Sequence, residues 1–422
     1  MTFNSGSYII VHMLVGIDDT DSTAGMCTTY LAAKLCQALG VTETPRLIRL
    51  NPNIPYKTRG NGAVAFKTED PDAKQTVLSF VEKYSRFEDA NTNPGVAFLE
   101  DEKRAGMLTG LYLRAVSELV TIRDAEDAAQ SAGAEIHKFK NGRGIIGALA
   151  AIGFAGDVTY EAIAYRARQS YGKPRRILRQ SVIDMDRALQ PLVFDNLGPS
   201  GRRILITPRG NDPIFCGIRG TTKESVEAAW KMITPQEPIE LVQVFETNHA
   251  TDAHLRSKQI SQLHPYDCVI LTGQVTSEPK TVPGGHVVFQ LTDQTGSIDC
   301  AAYKPSGRFR DIIRQLTPGD EVSAYGGIKK YAQTVNLEKI EVKTLYSRSK
   351  TIRPICCGKT MTSAGLNKGL KCKKCGKKIS QKEIKVSHEV RALVAGIYDV
   401  PPGSRRHLSK PVSLNLPNPK TI

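Results

Sequence analysis

Residues 268–345 constrain the fold more tightly than any other stretch. Alternating apolar side chains mark strands over 269–275, 287–291 and 297–303. A short helical repeat over 309–316 follows, then strands over 321–328 and 334–342. Pro283-Gly284-Gly285, Thr295-Gly296 and Pro318-Gly319-Asp320 separate them as turns. Five strands with a helix between the third and fourth is the order of an OB barrel, a common binder of nucleic acid. Another small β-barrel with a structural role is the alternative reading.

The whole chain has 422 residues, which at about 150 per domain gives two to four domains. A hydrophobic fraction of 40% with 23% charged residues excludes wholesale disorder and collagen-like architectures. The longest weakly polar run, Ile145 to Gly156, is too short to cross a bilayer, which takes about 20 residues. The apolar stretch Tyr8 to Ile17 has no Lys or Arg before it and acids directly after it, the wrong layout for a secretory signal. The expectation is a soluble, cytoplasmic protein with no membrane contact and no implied protein partner.

Charge is unevenly placed. From Glu341 onward there are 18 Lys and Arg against four Asp and Glu, whereas the first 340 residues carry 39 basic and 38 acidic side chains. A near-neutral body with a basic end points to a polyanion gripped there, and nucleic acid fits best. A solvated Lys-rich surface is the bland alternative.

Met13 to Ile17 reads as a buried strand running into Asp18-Asp19-Thr20-Asp21-Ser22. Active sites form where a peptide leaves the C-terminal end of such a strand. Clustered carboxylates there repel one another unless a cation intervenes, and Mg²⁺ with nucleotide phosphates is the usual solution. Acids capping a helix are the alternative, although one would suffice. Gly25-Met-Cys-Thr28-Thr29 opens the next helix, whose Tyr30, Leu31, Leu35 and Leu39 share a face.

Two loops offer counter-charge for ATP. One holds Lys57, Arg59, Gly60, Asn61 and Gly62; the other holds Lys138, Lys140, Asn141, Gly142, Arg143 and Gly144. Glycines let backbone amides approach phosphate oxygens while the cations neutralise charge developing in transfer. Neither loop matches the Walker pattern. Further strands are expected over 46–50, 63–66, 96–99, 203–207, 213–218 and 240–247, and helices over 73–84, 105–132, 145–152 and 222–233. The β-α-β-like stretches near 62–99 and 203–247 are expected to combine into one ferredoxin-like sheet. His249, Asp252 and His254 read as linker decoration, with Asn248 and Asp252 capping turns, in preference to a metal site.

Cys27, Cys36, Cys216, Cys268 and Cys300 are isolated and read as buried thiols. Cys372-Lys-Lys-Cys375 has the spacing of a zinc knuckle. Its expected partner is altered, because Cys356 and Cys357 are adjacent. Adjacent cysteines ligate one tetrahedral zinc only with an unusual backbone; three cysteines plus a group such as His388 is the other arrangement.

Six strings, GIDDTDS…GMCTTYL, PRLIRLNPNIPYKTRGNGA, KNGRGIIGALAAIG, GIRG, TNHATDAHL and PPGSRRHLSKP, together resemble the archaeal tRNA(Ile) 2-agmatinylcytidine synthetase family. The resemblance runs from about Met13 almost to the C-terminus. It implies a multidomain α/β plus β chain: a kinase-like α+β catalytic domain over 13–200, part of whose sheet near 62–99 is ferredoxin-like, and the rest of the ferredoxin-like domain over 201–257. An OB fold over 265–346, a zinc ribbon over 351–400 and a basic tail over 401–422 complete it. It also implies a ligase that uses ATP and Mg²⁺ to attach agmatine to C2 of the wobble cytidine of tRNA(Ile) with a CAU anticodon, so that AUA is read. Asp18, Asp19 and Asp21 would then hold Mg²⁺ and phosphates, and Thr28 matches a threonine the family phosphorylates on itself. The chain departs from the family at the first zinc knuckle, where two residues are missing. A non-enzymatic OB and zinc-ribbon nucleic-acid-binding protein is the rival reading. A ligase acting on a small molecule is another, and it would have no use for the basic end.

Overall fold

The computed structural model describes residues 12–415 apart from 58–59, 332–333, 348, 385 and 389–390. The chain opens with β1 (Met13–Asp18), α1 (Thr28–Ala38), β2 (Arg46–Arg49), β3 (Gly62–Thr68), α2 (Ala73–Tyr84) and β4 (Gly95–Leu99). Next come α3 (Thr109–Ser117), α4 (Ile122–Ala132), β5 (Glu135–Lys138) and α5 (Ile145–Ile152). Then follow β6 (Thr159–Arg166), α6 (Arg179–Leu189), β7 (Val193–Phe194), β8 (Ile214–Gly220), α7 (Lys223–Met232) and β9 (Ile239–Thr247).

These strands form one nine-stranded sheet in the order β5-β4-β1-β3-β2-β9-β6-β8-β7. Strand β1 is apolar on both faces because both are covered. Val15 and Ile17 pack with Leu31 and Leu35 of α1 and Val77 and Val81 of α2, whereas Leu14 faces Ala148 and Leu149 of α5. Helix α5 lies so close that a Cβ on Gly16 would stand 2.1 Å from the Ala148 carbonyl oxygen. Only glycine permits that approach.

The two halves of the sheet meet at a short parallel seam, Arg46↔Glu246 and Leu47↔Thr247. The second half, ordered β9-β6-β8-β7 with α6 and α7, is a complete βαββαβ ferredoxin-like unit. It takes no strand from the 62–99 stretch, and the boundary drawn at residue 200 falls inside it. Its first strand escaped the sequence because Glu161 and Arg166 are buried among apolar neighbours, which breaks the expected alternation. The expected 203–207 strand reduces to one bridge between Leu197 and Ile204. The helical region expected over 105–132 is present and divides into α3 and α4, because Thr121 caps α4 in a reciprocal arrangement with Asp124.

The barrel comprises β10 (Arg256–Ser257), β11 (Cys268–Val275), β12 (Lys280–Val282), β13 (His286–Thr292), β14 (Ser297–Ala302), α8 (Phe309–Ile313), β15 (Glu321–Ile328) and β16 (Thr334–Thr344). Strand β11 pairs with both β15 and β13, β14 runs parallel to β16, and the circuit closes as an OB fold. Asn51 and Asn53 dock it to the first half of the chain, donating to the carbonyls of Tyr266 (2.9 Å) and Asp267 (3.3 Å).

Beyond the barrel, two-residue strands such as Thr362–Ser363, Leu370–Lys371 and Lys378–Ile379 make a small ribbon around Met361, Leu370 and Cys372. The ribbon ends earlier than residue 400. Leu393 and Val400 belong to the barrel core, and strand Gly396–Asp399 pairs with β16. Residues 401–415 also correct the expectation of a tail, because Leu408 and Ser409 are each 1% exposed. Counting lysines along the sequence merged this packed segment with the ribbon before it. Among the described residues, no helix is long and apolar enough to cross a membrane.

Candidate active site

A cavity of about 290 Å³ opens beside the C-terminal end of β1, bordered by residues of both sheet halves. Asp18, Asp19, Asp21 and Thr28 line it, as do Lys57, Gly60, Asn61, Gly62, Arg143 and Gly144. Lys138, Lys140, Asn141 and Gly142 of the second loop do not. The Lys140 ammonium donates instead to the carbonyls of Phe87 (3.1 Å) and Asp89 (2.6 Å), holding a neighbouring loop. Gly142 supplies a left-handed turn (φ 71°) ahead of α5. Arg59 lies outside the described residues.

The acid cluster is strained in the electrostatic sense. The Asp18 carboxylate accepts a hydrogen bond from the Asp19 amide at 2.7 Å and abuts the backbone of α5 at Gly147. Burial, then the neighbouring Asp19 and Asp21, push its carboxyl well above the ordinary range. Asp19 takes a left-handed backbone (φ 58°). Its carboxyl is pushed up to about 7 by desolvation, even though the Arg143 guanidinium sits 2.8 Å from its Oδ2. At Asp19 desolvation thus outweighs the arginine, and the carboxylates offer the hard oxygen donors that Mg²⁺ takes. Thr20 donates to the Thr28 hydroxyl at 3.1 Å, fixing Thr28 at the start of α1 beside the acids.

Asp89 braces the turn after the acids, accepting from Ser22 Oγ (2.8 Å) and Thr23 N (3.3 Å), and Thr92 donates to the Asp21 carbonyl (2.8 Å). Arg143 stacks over Tyr56, 5.5 Å from the ring centre.

The lining also contains residues that the sequence did not single out. Arg49, Glu161, Arg219, Asp212 and His407 all line the cavity. Glu161 is 4% exposed, with Arg219 at 3.5 Å, His249 at 3.6 Å and Arg49 at 3.8 Å. Arg49 Nε donates to His249 Nε2 at 2.8 Å, and the Asn248 amide pairs with both backbone groups of Arg49 (2.8 and 2.9 Å). Asn248 and His249 therefore brace the cavity wall and do not decorate a linker. Asp252 and His254 also join parts of the chain, meeting Lys339 (2.6 Å) and Glu338 (3.1 Å) of β16. Arg219 and His407 sit within GIRG and PPGSRRHLSKP, so motif membership was their only signal; Glu161 had none.

Four family descriptions match the chain: "TiaS TCKD domain" over residues 14–77, "TiaS FLD domain" over 142–254, "OB-fold nucleic acid binding domain" over 269–343 and "TiaS C-terminal zinc ribbon domain" over 353–392. The tRNA(Ile) 2-agmatinylcytidine synthetase of Pyrococcus horikoshii is 46% identical, covering 97% of this chain and 98% of its own. That of Methanocaldococcus jannaschii is 43% identical over 96% and 99%. The chain belongs to the tRNA(Ile) 2-agmatinylcytidine synthetase family. Solved synthetases agree in backbone: a complex of TiaS with its isoleucine tRNA and ATP superposes with a TM-score of 0.87 at 39% identity, covering 97% of this chain and 98% of that one. A complex of TiaS with the same tRNA, AMPCPP and agmatine gives 0.84 at 36% identity with the same coverage.

The zinc-ribbon portion of this synthetase family member brings Cys356, Cys357, Cys372 and Cys375 together, with all four sulfurs within 4.8 Å of one another. Cys356 Sγ lies 3.6 Å from Cys375 Sγ and 3.9 Å from Cys357 Sγ. Tetrahedral ligation with bonds of about 2.3 Å places sulfurs about 3.8 Å apart. Adjacent cysteines converge because Cys357 adopts a left-handed backbone (φ 50°), which re-aims its side chain toward that of Cys356. Backbone amides of Cys375 and Lys374 lower the Cys372 thiol to about 7, while Cys375 and Cys372 raise the Cys356 thiol, so within the cluster the proton leaves Cys372 first. The His388 side chain lies outside the described residues.

Proposed function

We propose that this chain joins agmatine to C2 of the wobble cytidine in tRNA(Ile) bearing a CAU anticodon, at the expense of ATP. The observation that carries the reading is full-length similarity to chains crystallised with an isoleucine tRNA, ATP and agmatine, together with an acid cluster lining the interdomain cavity.

The chemistry follows from leaving-group ability. The C2 oxygen of cytosine departs poorly; a phosphoryl group from ATP placed on it makes phosphate the leaving group, which the amine of agmatine displaces. The base must leave its stack to enter the cavity. We assign the kinase-like work to the N-terminal half. Asp18, Asp19 and Asp21 would hold Mg²⁺, which when bound screens the phosphates and the mutual repulsion of these acids. Arg143 and the N-terminal end of α5 at Gly144 face the same space and stabilise negative charge as it moves between oxygens. Lys57, Gly60, Asn61 and Gly62 line the same cavity, where they can hold the nucleotide's outer phosphates. Thr28, fixed beside the acids, is the assigned acceptor of self-phosphorylation. The cysteine cluster would hold Zn²⁺, and the barrel and ribbon would hold the RNA.

Incubating the protein with ATP, Mg²⁺, agmatine and tRNA(Ile) bearing CAU tests this reading. Mass spectrometry of the digested nucleosides should show cytidine converted to its agmatine conjugate. Unchanged cytidine with tight tRNA binding would favour the non-enzymatic rival.

A further inference from the structure

A second cavity, of about 630 Å³, adjoins the first and shares Arg49, Leu50, Lys57, Gly60 and His407 with it. Three distant parts of the chain build this annex. The loop after β2 supplies Pro52, Asn53 and Lys57; the β15–β16 turn supplies Lys329; the segment beyond the ribbon supplies Arg406, His407 and Leu408. That last segment is firmly held. The amides of Ala250 and Asp252 donate to the carbonyls of His407 and Leu408 at 2.8 Å each, and Arg405 pairs with Asp195 and with Asp399.

Among the described residues, the annex is lined by four basic side chains, Arg49, Lys57, Lys329 and Arg406, and by no carboxylate. Arg406 has a partial counter-ion in Glu338 at 3.1 Å, which also serves His254 at 3.1 Å. Arg49 lies 3.8 Å from Glu161. Lys57 donates to the Pro52 carbonyl and Lys329 is exposed, neither meeting a carboxylate among the described residues. Desolvation, followed by Arg406 among the neighbouring charges, holds the Lys57 ammonium below its ordinary range. A concave wall of crowded cations is an attractive field for an anion. Lys329 also lies 5.8 Å from the ring centre of Tyr303, which is 39% exposed, so a stacking face adjoins the cations.

We propose that this annex binds a phosphodiester of the RNA strand next to the nucleotide whose base enters the catalytic cavity. The proposal rests on the function inferred above. Backbone phosphates are the handles by which a protein fixes the position of a strand, and an extruded base must be flanked by them. The acids Asp18, Asp19 and Asp21 line the first cavity and are absent from the annex, whereas Lys329 and Arg406 line the annex alone, so the metal-held end of the triphosphate and the phosphodiester lie apart, with Lys57 and Gly60 on the boundary between them. The segment after the ribbon then completes an RNA site, with Arg406 as its contact.

The test uses full-length protein and intact tRNA(Ile), ligated from two halves, in which the phosphate on the 5′ or 3′ side of the target cytidine is a neutral methylphosphonate. For the wild type, one of the two substitutions should raise Kd roughly tenfold. In Lys329→Gln, an exposed position that leaves the fold intact, binding should be weaker and the logarithmic salt slope smaller by about one. The same methylphosphonate should then cost little more, with the KM for ATP unchanged. Arg406→Gln should behave alike, and Lys329→Gln keeps the test decisive if that variant misfolds. Equal methylphosphonate effects in wild type and Lys329→Gln, or none in either, would overturn the proposal. So would a raised KM for ATP with unchanged tRNA binding, which would give the cations to the nucleotide. Binding is read independently of turnover, so absence of the agmatine product in the wild type would sink the functional reading without deciding this one.

Discussion

Gly147→Ala separates helix energetics from site geometry. Gly147 lies inside α5, and alanine within a helix is ordinarily worth roughly 0.5–1 kcal/mol over glycine. Here the added methyl would stand 1.9 Å from Asp18 Oδ2 and 2.6 Å from its Cγ. Ordinary contact begins near 3.4 Å, so the carboxylate must retreat by roughly 1.5 Å. Misplacement of about 1 Å in a reacting constellation costs about a hundredfold, close to 2.7 kcal/mol of transition-state stabilisation. The expected result is turnover reduced by about that factor, tRNA binding retained and a folded protein by circular dichroism. Gly110→Ala in α3 is the control, since nothing lies within 4 Å of the added Cβ; it should gain the helix preference and leave turnover alone. Wild-type turnover in Gly147→Ala would refute the reasoning, by showing either that Asp18 relaxes freely or that it has no part in the reaction.

Three further outcomes are expected. Asp19→Asn should abolish cytidine modification, measured by nucleoside mass spectrometry, while tRNA still binds; full activity would remove Asp19 from the metal site. The ribbon, whose buried core among the described residues is Met361, Leu370 and Cys372, should carry one zinc by elemental analysis and unfold when chelated. Cys357→Ala should lose most of that zinc, and full retention would point to three-cysteine ligation. Asp320 is fully buried and accepts hydrogen bonds from Arg391 (2.5 and 2.7 Å), Thr317 N and Tyr346 N (2.8 Å each). Burial raises its carboxyl, but these partners carry it below the ordinary value. Its stabilisation is therefore complete above the unfolded value of about 3.9 and disappears as pH falls through the depressed one. Asp320→Asn should cost about 3–5 kcal/mol of barrel stability at pH 7, in urea titrations, and the gap from wild type should close in acid.

Legibility in the sequence tracked how local each feature is. The barrel strands were readable because each alternates in-face and out-face within a few residues and glycine turns punctuate them. The acids after β1 were readable because their adjacency is itself the feature. Lys140 and Arg143 show the limit. Three residues apart in one basic loop, one ammonium is occupied by loop carbonyls and the other side chain meets Asp19. Strand β6 hid because the charges of Glu161 and Arg166 are compensated by partners far away in sequence.

By itself, then, the sequence determined the strand-and-turn order of the barrel, the acid cluster at a strand end and the basic character of the last eighty or so residues. Tertiary structure alone decided that the basic end divides into a ribbon with four clustered cysteines and a packed return segment. It also brought Arg49, Glu161, Arg219 and His407 to one wall and allowed two adjacent cysteines to face the same point. Periodicity and spacing report only a residue's immediate neighbours along the chain. Which distant charges end up sharing a desolvated space depends on how the sheet halves and the barrel close around it.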